Sequence, residues 1–192
     1  MNSKKTITGI VLAGGKSRRM STDKALLLFK GKPFLSHVIE ALKPLVDEIL
    51  IVSNKKEHGE FNFKRVSDTM IDAGPLSGLH AGLNHSNTEL NIVLSCDVPL
   101  IQTSVLEIIL SNNTDENDVL QVEGGGKSHP LIALYKKRAT PHLLAALQKG
   151  ERKLSKALIG LNVKSISISK SHYEALRNIN TRSDLKSIEN EY

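Results

Sequence analysis

The fold class is decided near the start of the chain, by the stretch Ile7-Thr8-Gly9-Ile10-Val11-Leu12-Ala13-Gly14-Gly15-Lys16-Ser17-Arg18-Arg19-Met20-Ser21-Thr22-Asp23-Lys24. It begins as an apolar, β-branched run, which is typical of a buried parallel strand, and it breaks at two adjacent glycines. In α/β sheets the turn after such a strand is where ligands bind. Paired glycines let backbone N–H groups approach phosphate oxygens, and lysine and arginine neutralise phosphate charge. The stretch therefore predicts a strand followed by a loop for a nucleoside triphosphate.

The composition is that of an ordinary globular protein, with 40% hydrophobic and 24% charged residues among 192. This length favours one domain, residues 1–192, with a sizeable core. No apolar run is long enough to cross a bilayer, and residues 1–5 lead into a strand rather than a signal peptide. We therefore expect a cytoplasmic protein without a membrane partner. The single Cys96 excludes an intramolecular disulfide and lacks the companions of a zinc site.

The net charge of +6 is concentrated in residues 16–32, 55–56 and 136–138. One interpretation is a solvated basic surface, and the other is attraction of anionic, phosphorylated substrates. A nucleic-acid partner is not expected, because the chain has no basic stretch interleaved with aromatic residues and no nucleic-acid motif.

Short apolar runs alternate with segments of helical periodicity, which predicts an α/β fold with a mostly parallel sheet. The predicted strands are residues 8–12, 48–52, 63–66, 91–95, 118–122, 130–135 and 163–168. The predicted helices are residues 33–42, 76–83, 105–110, 143–147, 154–158 and 183–188. Thr181 is the predicted N-cap of the last helix, and residues 123–129 form a flexible connection between two strands.

The glycine loop differs from the common nucleotide motifs. A Walker loop that ended at Gly15-Lys16-Ser17 would need glycine at position 10, which is Ile10. The same motif ending at residues 126–128 fails, because position 121 is Gln121. The G-x-G-x-x-G spacing of a dinucleotide site is also missing. The pattern indicates a different nucleotide loop, or alternatively a plain glycine turn with surface lysines.

Asp97 is the best candidate for a metal ligand. It follows directly on a predicted buried strand, where α/β ligand sites gather, and a carboxylate there suits Mg²⁺. The alternative is that Asp97 caps the next helix, although that helix begins later, near Thr103. The adjacent Cys96 is interpreted as a small buried residue rather than a nucleophile.

Several further polar positions have both a structural and a functional interpretation. Asp68 and Asn54 follow predicted strands and are either turn residues or ligand contacts. Gly78, Ala81 and Gly82 form a small-residue face that packs closely on a sheet or on a flat ligand.

Two candidates lie in the second half of the chain. His129 and Lys127 belong to the glycine-rich connection, where they are either structural or contact an anion. The segment Asn178-Ile179-Asn180-Thr181 precedes a helix. It is predicted to cap that helix, and a polar contact with a ligand is compatible with this role.

Together these motifs resemble those of the molybdenum cofactor guanylyltransferases, which join GMP to molybdopterin. The family's opening pattern, L-A-G-G-x-S-x-R-M-G-x-D-K, matches Leu12 to Lys24 except that Ser21 replaces the last glycine. The patterns G-P-L-x-G, C-D-x-P, H-P-L and N-x-N-T match Gly74 to Gly78, Cys96 to Pro99, His129 to Leu131 and Asn178 to Thr181. The resemblance covers nearly the whole chain, and Ser21 is its departure from the opening pattern.

The resemblance implies a doubly wound, Rossmann-like fold with helices on both faces, as in nucleotide-diphospho-sugar transferases. It implies Mg²⁺ on Asp97 and GTP contacts from Leu12, Ala13, Gly14, Gly15, Lys24, Asn54, Asp68 and Asp97. Lys24 and Asp97, with Arg18 or Arg19, are the expected catalytic residues. GTP would occupy the first half of the chain and molybdopterin the second, with Lys127, His129 and Asn180 as candidates for the pterin.

Three alternatives stay open at the level of sequence. The chain could transfer a cytidylyl group to the same cofactor, or a nucleotide to a sugar phosphate. It could also be a non-catalytic nucleotide sensor or adaptor that pairs with molybdoenzymes. Delivery of the product to a chaperone or an apo-molybdoenzyme is a further expectation, since the cofactor is labile.

Overall fold

A computed structural model describes residues 6–14, 23–68, 70 and 74–191. Nine strands are present in these ranges: β1 Ile7–Leu12, β2 Leu28–Phe29, β3 Lys32–Pro33, β4 Glu48–Val52, β5 Lys64–Val66, β6 Leu90–Ser95, β7 Val119–Gly124, β8 Lys127–Lys136 and β9 Val163–Ser167. Strands β2 and β3 form a small separate hairpin. The others form one seven-stranded sheet in the order β5-β4-β1-β6-β8-β7-β9.

The described residues contain six α-helices: α1 Phe34–Leu42, α2 Pro75–His85, α3 Thr103–Ser111, α4 Thr140–Gln148, α5 Leu154–Ala157 and α6 Arg182–Glu191. Every predicted strand and helix therefore exists, with ends that differ by a few residues. The short β2–β3 hairpin was not predicted, because two-residue strands have no periodicity to detect.

The sheet is covered by helices on both faces. Ile10 and Leu12 of β1 pack with α2, α4 and α5, whereas Val11 belongs to the cluster that includes α1 and α3. Side chains of a strand alternate between the two faces, so an unbroken apolar strand is required when both faces are covered. The α/β prediction is confirmed: β1 pairs in parallel with β4 and β6, and β4 with β5.

Strand β8 runs antiparallel to both of its neighbours, β6 and β7. The connection from β7 to β8 is a tight turn at Gly125 and Gly126, with φ of 59° and 74°. Two successive positive φ values are the signature of a type I′ hairpin turn, which glycine adopts without strain. Backbone pairing therefore continues to the turn, and the flexible connection predicted for residues 123–129 is wrong.

The chain ends by packing against its own first half. Ile179 and Ile188 are buried with Phe29 and Phe34 in a third apolar cluster. Thr181 Oγ1 accepts a hydrogen bond from the N–H of Asp184, which confirms it as a cap of α6. This packing fixes the segment before α6 near the residues that follow β1. Within the described ranges, no helix has the length and apolar character needed to cross a membrane.

Candidate active site

The carboxyl ends of β1, β4 and β6 meet at one edge of the sheet. The N–H of Ala13 donates to the Val52 carbonyl at 2.9 Å, and the N–H of Cys96 donates to the Leu12 carbonyl at 3.1 Å. The chain continues from β1 to β4 on one side and later returns to β6 on the other side of β1. Open α/β sheets bind ligands in the crevice at such a reversal of strand order. Leu12, Ala13, Gly14 and Asp97 all lie there.

Lys24 and Asp97 face each other across this crevice. Lys24 Nζ lies 3.6 Å from Asp97 Oδ2 and donates a hydrogen bond of 2.6 Å to Asn180 Oδ1. Asp97 Oδ1 accepts from Asn178 Nδ2 at 2.8 Å and from Ser95 Oγ at 2.5 Å. The backbone also contributes, since the N–H of Ile179 donates to the Asp97 carbonyl at 2.8 Å. Two asparagines thus hold the lysine and the carboxylate in fixed positions.

The donor set around Asp97 is compatible with Mg²⁺. The described residues contain no group of three or more His, Cys, Asp or Glu side chains that could hold a metal by themselves. Mg²⁺ is commonly bound by one or two carboxylates, with substrate phosphates and waters completing the shell. The hydrogen bonds to Asp97 occupy Oδ1, so Oδ2 retains lone-pair capacity beside the Lys24 ammonium. A single-carboxylate site that is completed by a nucleotide fits these residues.

Asn54 and Asp68 lie together at the end of β4 and β5. Asn54 Oδ1 accepts the N–H of Asp68 at 2.9 Å. Asp68 Oδ1 accepts from the N–H of Met70 at 3.1 Å and from the hydroxyl of Ser77 in α2. Asn54 is exposed, whereas Asp68 is half-buried and its Oδ1 is bound by the protein.

Cys96, next to Asp97, is buried and free. Burial, with a smaller effect of the Asp97 charge, raises the pKa of its thiol to about 12. A thiol of this kind is not a nucleophile at neutral pH, which confirms the interpretation of Cys96 as a small packing residue.

A cleft of about 240 Å³ adjoins the Asp97 site. Its wall includes Ser95, Val98, His129, Leu131 and Asn178, so it combines an apolar surface with a few polar groups. Burial lowers the pKa of His129, which keeps the imidazole neutral at pH 7 although a hydrogen bond with the Gly124 backbone acts in the opposite direction.

The three residues that we predicted for the pterin are not brought together. His129 lines the cleft. Lys127 is exposed at the β7–β8 turn and does not line it. Asn180 contacts Lys24, while its neighbour Asn178 lines the cleft.

His129 points into the cleft region because β8 is irregular there. Val122 pairs with His129 and Gln121 with Ala133, so residues 130–132 bulge out of the β7 pairing. Pro130 has no N–H to donate to a ladder, which favours the interruption. The fully buried Tyr135 donates its hydroxyl proton to the Pro130 carbonyl at 2.8 Å and fixes the bulge. Nothing in the sequence indicates that Tyr135 supports the site, whereas Asn178 belongs to the segment for which the sequence predicts a polar contact.

Three predicted residues, Gly15, Arg18 and Arg19, lie outside the described residues, as does Ser21. A larger hollow of about 400 Å³ lies between α4 and the segment that contains Ile159. It does not include any residue of the Lys24–Asp97 site, so the smaller cleft is the relevant one.

Comparison with known proteins gives a consistent result. Residues 9–163 match the model of the MobA-like NTP transferase domain. A probable molybdenum cofactor guanylyltransferase of Flavobacterium johnsoniae is 36% identical, covering 95% of this chain and 96% of that protein. The molybdenum cofactor guanylyltransferase of Vibrio parahaemolyticus is 35% identical, covering 92% and 91% of the two chains.

Solved structures show the same fold. Molybdopterin-guanine dinucleotide biosynthesis protein A of Archaeoglobus fulgidus is 26% identical with a TM-score of 0.82, covering 96% of this chain and 97% of that one. CMP:2-keto-3-deoxy-manno-octonic acid synthetase, complexed with CTP, has a TM-score of 0.73 at 15% identity over 98% of each chain and shows the fold alone. The matches span the sheet and the Lys24–Asp97 site, and the chain therefore belongs to the MobA-like NTP transferase family.

Proposed function

We propose that the chain is a molybdenum cofactor guanylyltransferase, which transfers GMP from GTP to molybdopterin and releases pyrophosphate. It acts as a single nucleotidyltransferase domain, residues 1–192, with GTP bound by the first half and molybdopterin by the second. The observation that carries the proposal is the opposition of Lys24 and Asp97, 3.6 Å apart at the crevice of a chain from this family. The proposed location is the cytoplasm, where GTP is available.

The reaction needs no general base, because the nucleophile is the terminal phosphate of molybdopterin and is already an anion. One of its oxygens forms a bond to the α-phosphorus of GTP in line with the bond to the β-phosphate, which breaks. Pyrophosphate leaves with the electron pair of that bond. Catalysis is then positioning and charge neutralisation.

Lys24 supplies the fixed positive charge at the α-phosphate and the leaving group. Asn180 holds its ammonium in place, so little reorganisation is required as charge develops. The N–H groups of Gly14 and Gly15 are proposed to bind the β- and γ-phosphate oxygens, and Arg18 to assist Lys24. Leu12, Ala13, Asn54 and Asp68 complete the proposed nucleotide contacts.

Asp97 is the proposed ligand of Mg²⁺, the cofactor of the reaction. When bound, the ion supplies charge shielding of the triphosphate and a template for its orientation. Ser95 and Asn178 orient the carboxylate through Oδ1, so that Oδ2 faces the crevice. Such supporting hydrogen bonds are a common requirement for a well-defined metal ligand.

Molybdopterin is proposed to bind in the cleft that contains His129, Leu131 and Asn178. The cleft adjoins Asp97 through Ser95 and Asn178, so a ligand there can direct a phosphate toward the nucleotide. The neutral His129 and the amide of Asn178 offer hydrogen bonds to the polar edge of a pterin. Lys127 on the nearby turn and Asn180 are further candidates. Delivery of the product to a chaperone or an apo-molybdoenzyme completes the proposal.

The test is pyrophosphate release by the purified chain with molybdopterin and each of the four nucleoside triphosphates in Mg²⁺. We expect release with GTP and formation of the guanine dinucleotide. Turnover with CTP instead, or with a sugar phosphate as acceptor, would assign a sister reaction. GTP binding without a single turnover would indicate a sensor. Asp97→Ala is expected to lower kcat by about 100-fold or more, and full transfer by this variant at low Mg²⁺ would contradict the proposed metal site.

A further inference from the structure

The residue before Lys24 is anchored as firmly as Lys24 itself. Asp23 Oδ1 accepts the N–H of Ala25 at 3.1 Å and so begins the 3₁₀ turn Lys24–Leu26. Asp23 Oδ2 accepts from His58 Nε2 and Lys55 Nζ, both at 2.8 Å. Burial raises the pKa of Asp23, but hydrogen bonds from Lys55 and His58 outweigh this and hold it below the ordinary value. The carboxylate therefore stays charged and bound on both oxygens.

His58 is the rigid member of this cluster. Its side chain is 0% exposed, whereas that of Lys55 is 42% exposed and forms an ion pair that solvent screens. The other ring nitrogen of His58, Nδ1, is buried and has no hydrogen-bond partner among the described residues. An apolar side chain would fill the same space without leaving a polar atom unsatisfied. The bond from Nε2 to Asp23 is thus what a histidine provides at this position.

The cluster joins two parts of the site. His58 lies in the 3₁₀ segment Lys56–Phe61, which follows Asn54, a proposed nucleotide contact. Asp23 points to this segment, while the next side chain, Lys24, points to Asn180 and Asp97. The backbone position of the turn therefore decides whether the Lys24 ammonium reaches the crevice.

We propose that His58 is a positioning residue for nucleotidyl transfer, which fixes through Asp23 the turn that carries Lys24. The inference rests on the proposed function. It predicts that loss of the Nε2 donor lowers the rate of the chemical step much more than it weakens GTP binding, because His58 acts only through Lys24 and the other proposed GTP contacts are unchanged.

The experiment compares His58→Leu, which removes the donor, with His58→Gln, whose amide nitrogen replaces Nε2. Pyrophosphate release with GTP, molybdopterin and Mg²⁺ gives kcat and KM, and calorimetric titration gives the dissociation constant of GTP. We expect His58→Leu to lower kcat by about tenfold or more with GTP affinity within about twofold, and His58→Gln to restore most of kcat. His142→Leu is the matched control. This variant also removes one histidine hydrogen bond, the one to the Ala157 carbonyl, and His142 lies outside the Lys24–Asp97 site.

A double-mutant cycle separates positioning from general loss of structure. If His58 acts through Lys24, His58→Leu has no further effect on kcat in a Lys24→Met background. Asp23→Asn breaks the same link and serves as a second variant if His58→Leu does not fold. A wild-type chain that releases no pyrophosphate overturns the proposed function. An active wild type with an equal kcat in His58→Leu, or additive losses in the cycle, overturns this inference alone.

Discussion

At the scale of single residues, the site depends on contacts between positions far apart in the sequence. Lys24 is held by Asn180, and Asp97 by Asn178, so the lysine and the carboxylate are both positioned by one short segment before α6. A lysine side chain has many rotamers, and fixing its ammonium before the substrate arrives lowers the entropy lost in the transition state.

Replacement of Asn180 tests this arrangement. Asn180→Ala frees the Lys24 ammonium, and we expect kcat to fall by about tenfold, equivalent to roughly 1.4 kcal/mol of transition-state stabilisation. Thermal stability should change little, because the bond is exposed. Asn84→Ala, an exposed position at the end of α2, is the control. A raised KM for molybdopterin with unchanged kcat would instead make Asn180 a pterin contact.

Replacement of Tyr135 tests the bulge at His129. Tyr135→Phe leaves the Pro130 carbonyl without its donor, and we expect a loss of about 1–3 kcal/mol in the free energy of unfolding. If the bulge shapes the pterin cleft, the KM for molybdopterin rises several-fold as well. Urea denaturation and steady-state kinetics measure the two effects. Tyr173→Phe, at a residue that is 37% exposed, should match the wild type in both.

At the scale of elements, helix α2 lies close to the sheet because of its small residues. A Cβ added at Gly82 would lie 2.5 Å from Ile10 Cγ2 and 3.1 Å from Val52 Cγ2. A Cβ at Gly78 would make ordinary contacts, 3.7 Å from Leu12 and Val52 side-chain atoms. Of the two interpretations of the small-residue face, close packing on the sheet is the one that the structure supports.

Replacement by alanine is expected to change the free energy of unfolding in opposite directions at Gly82 and at Gly78. Gly82→Ala forces β-branched side chains of two core strands apart, and we expect it to lower the free energy of unfolding by roughly 1–3 kcal/mol. Gly78→Ala removes backbone freedom from a helix interior without a clash and should raise that free energy by about 0.5–1 kcal/mol. Parallel urea denaturation curves measure both. Equal destabilisation by the two variants would show that α2 is packed more tightly along its length than these distances indicate.

At the scale of the whole molecule, the second half of the chain completes a site that the first half begins. The family model ends at residue 163, yet Asn178 and Asn180 hold the catalytic candidates. Packing of Ile179 and Ile188 on Phe29 and Phe34 brings this segment back. The apolar contacts that hold α6 against the first half of the chain therefore also place Asn178 and Asn180 beside Asp97 and Lys24.

Acidification is expected to destabilise the whole molecule in two stages. Burial lowers the pKa values of His80 and His129 from 6.5, so they favour the folded state above that value, and their contribution is lost as the pH falls through their folded pKa. Asp23 and Asp118 also have lowered pKa values. Burial raises the pKa of these two carboxyl groups, but hydrogen bonds outweigh burial and lower it below 3.8. The two carboxylates therefore stabilise the folded state above pH 3.8, and this stabilisation is lost as the pH falls through their folded pKa values.

Urea denaturation at pH 7.5, 5.5 and 3 measures both stages, the first between pH 7.5 and 5.5 and the second between pH 5.5 and 3. His80→Leu removes one titrating group and should reduce the loss between pH 7.5 and 5.5. A variant that loses as much stability as the wild type in this range, or a wild type that is most stable in acid, would contradict the assignment.

The sequence by itself determined the fold class and the chemistry. Apolar runs such as residues 48–52 and 91–95 have to be buried on both faces of a sheet. Because this requirement depends only on neighbouring residues, the sequence is sufficient to predict these strands. The position of Asp97 just after a buried strand follows from the same pattern, and Lys24 belongs to the basic segment that follows the first strand. Gly125 and Gly126 suggest a flexible connection in the sequence, because a run of glycines does not show whether the flanking strands stay paired as far as the turn.

Only the tertiary structure decided which side chains meet. Asn180 was a candidate for the pterin but contacts Lys24, while His58 and Tyr135 gave no signal in the sequence. The Asn180 contact depends on how α6 packs against the β2–β3 hairpin, and the Tyr135 contact depends on a bulge in β8. Neither feature has a local periodicity. The glycine loop after the first strand thus predicts a nucleotide site, and the packing of distant segments determines how Lys24 is held.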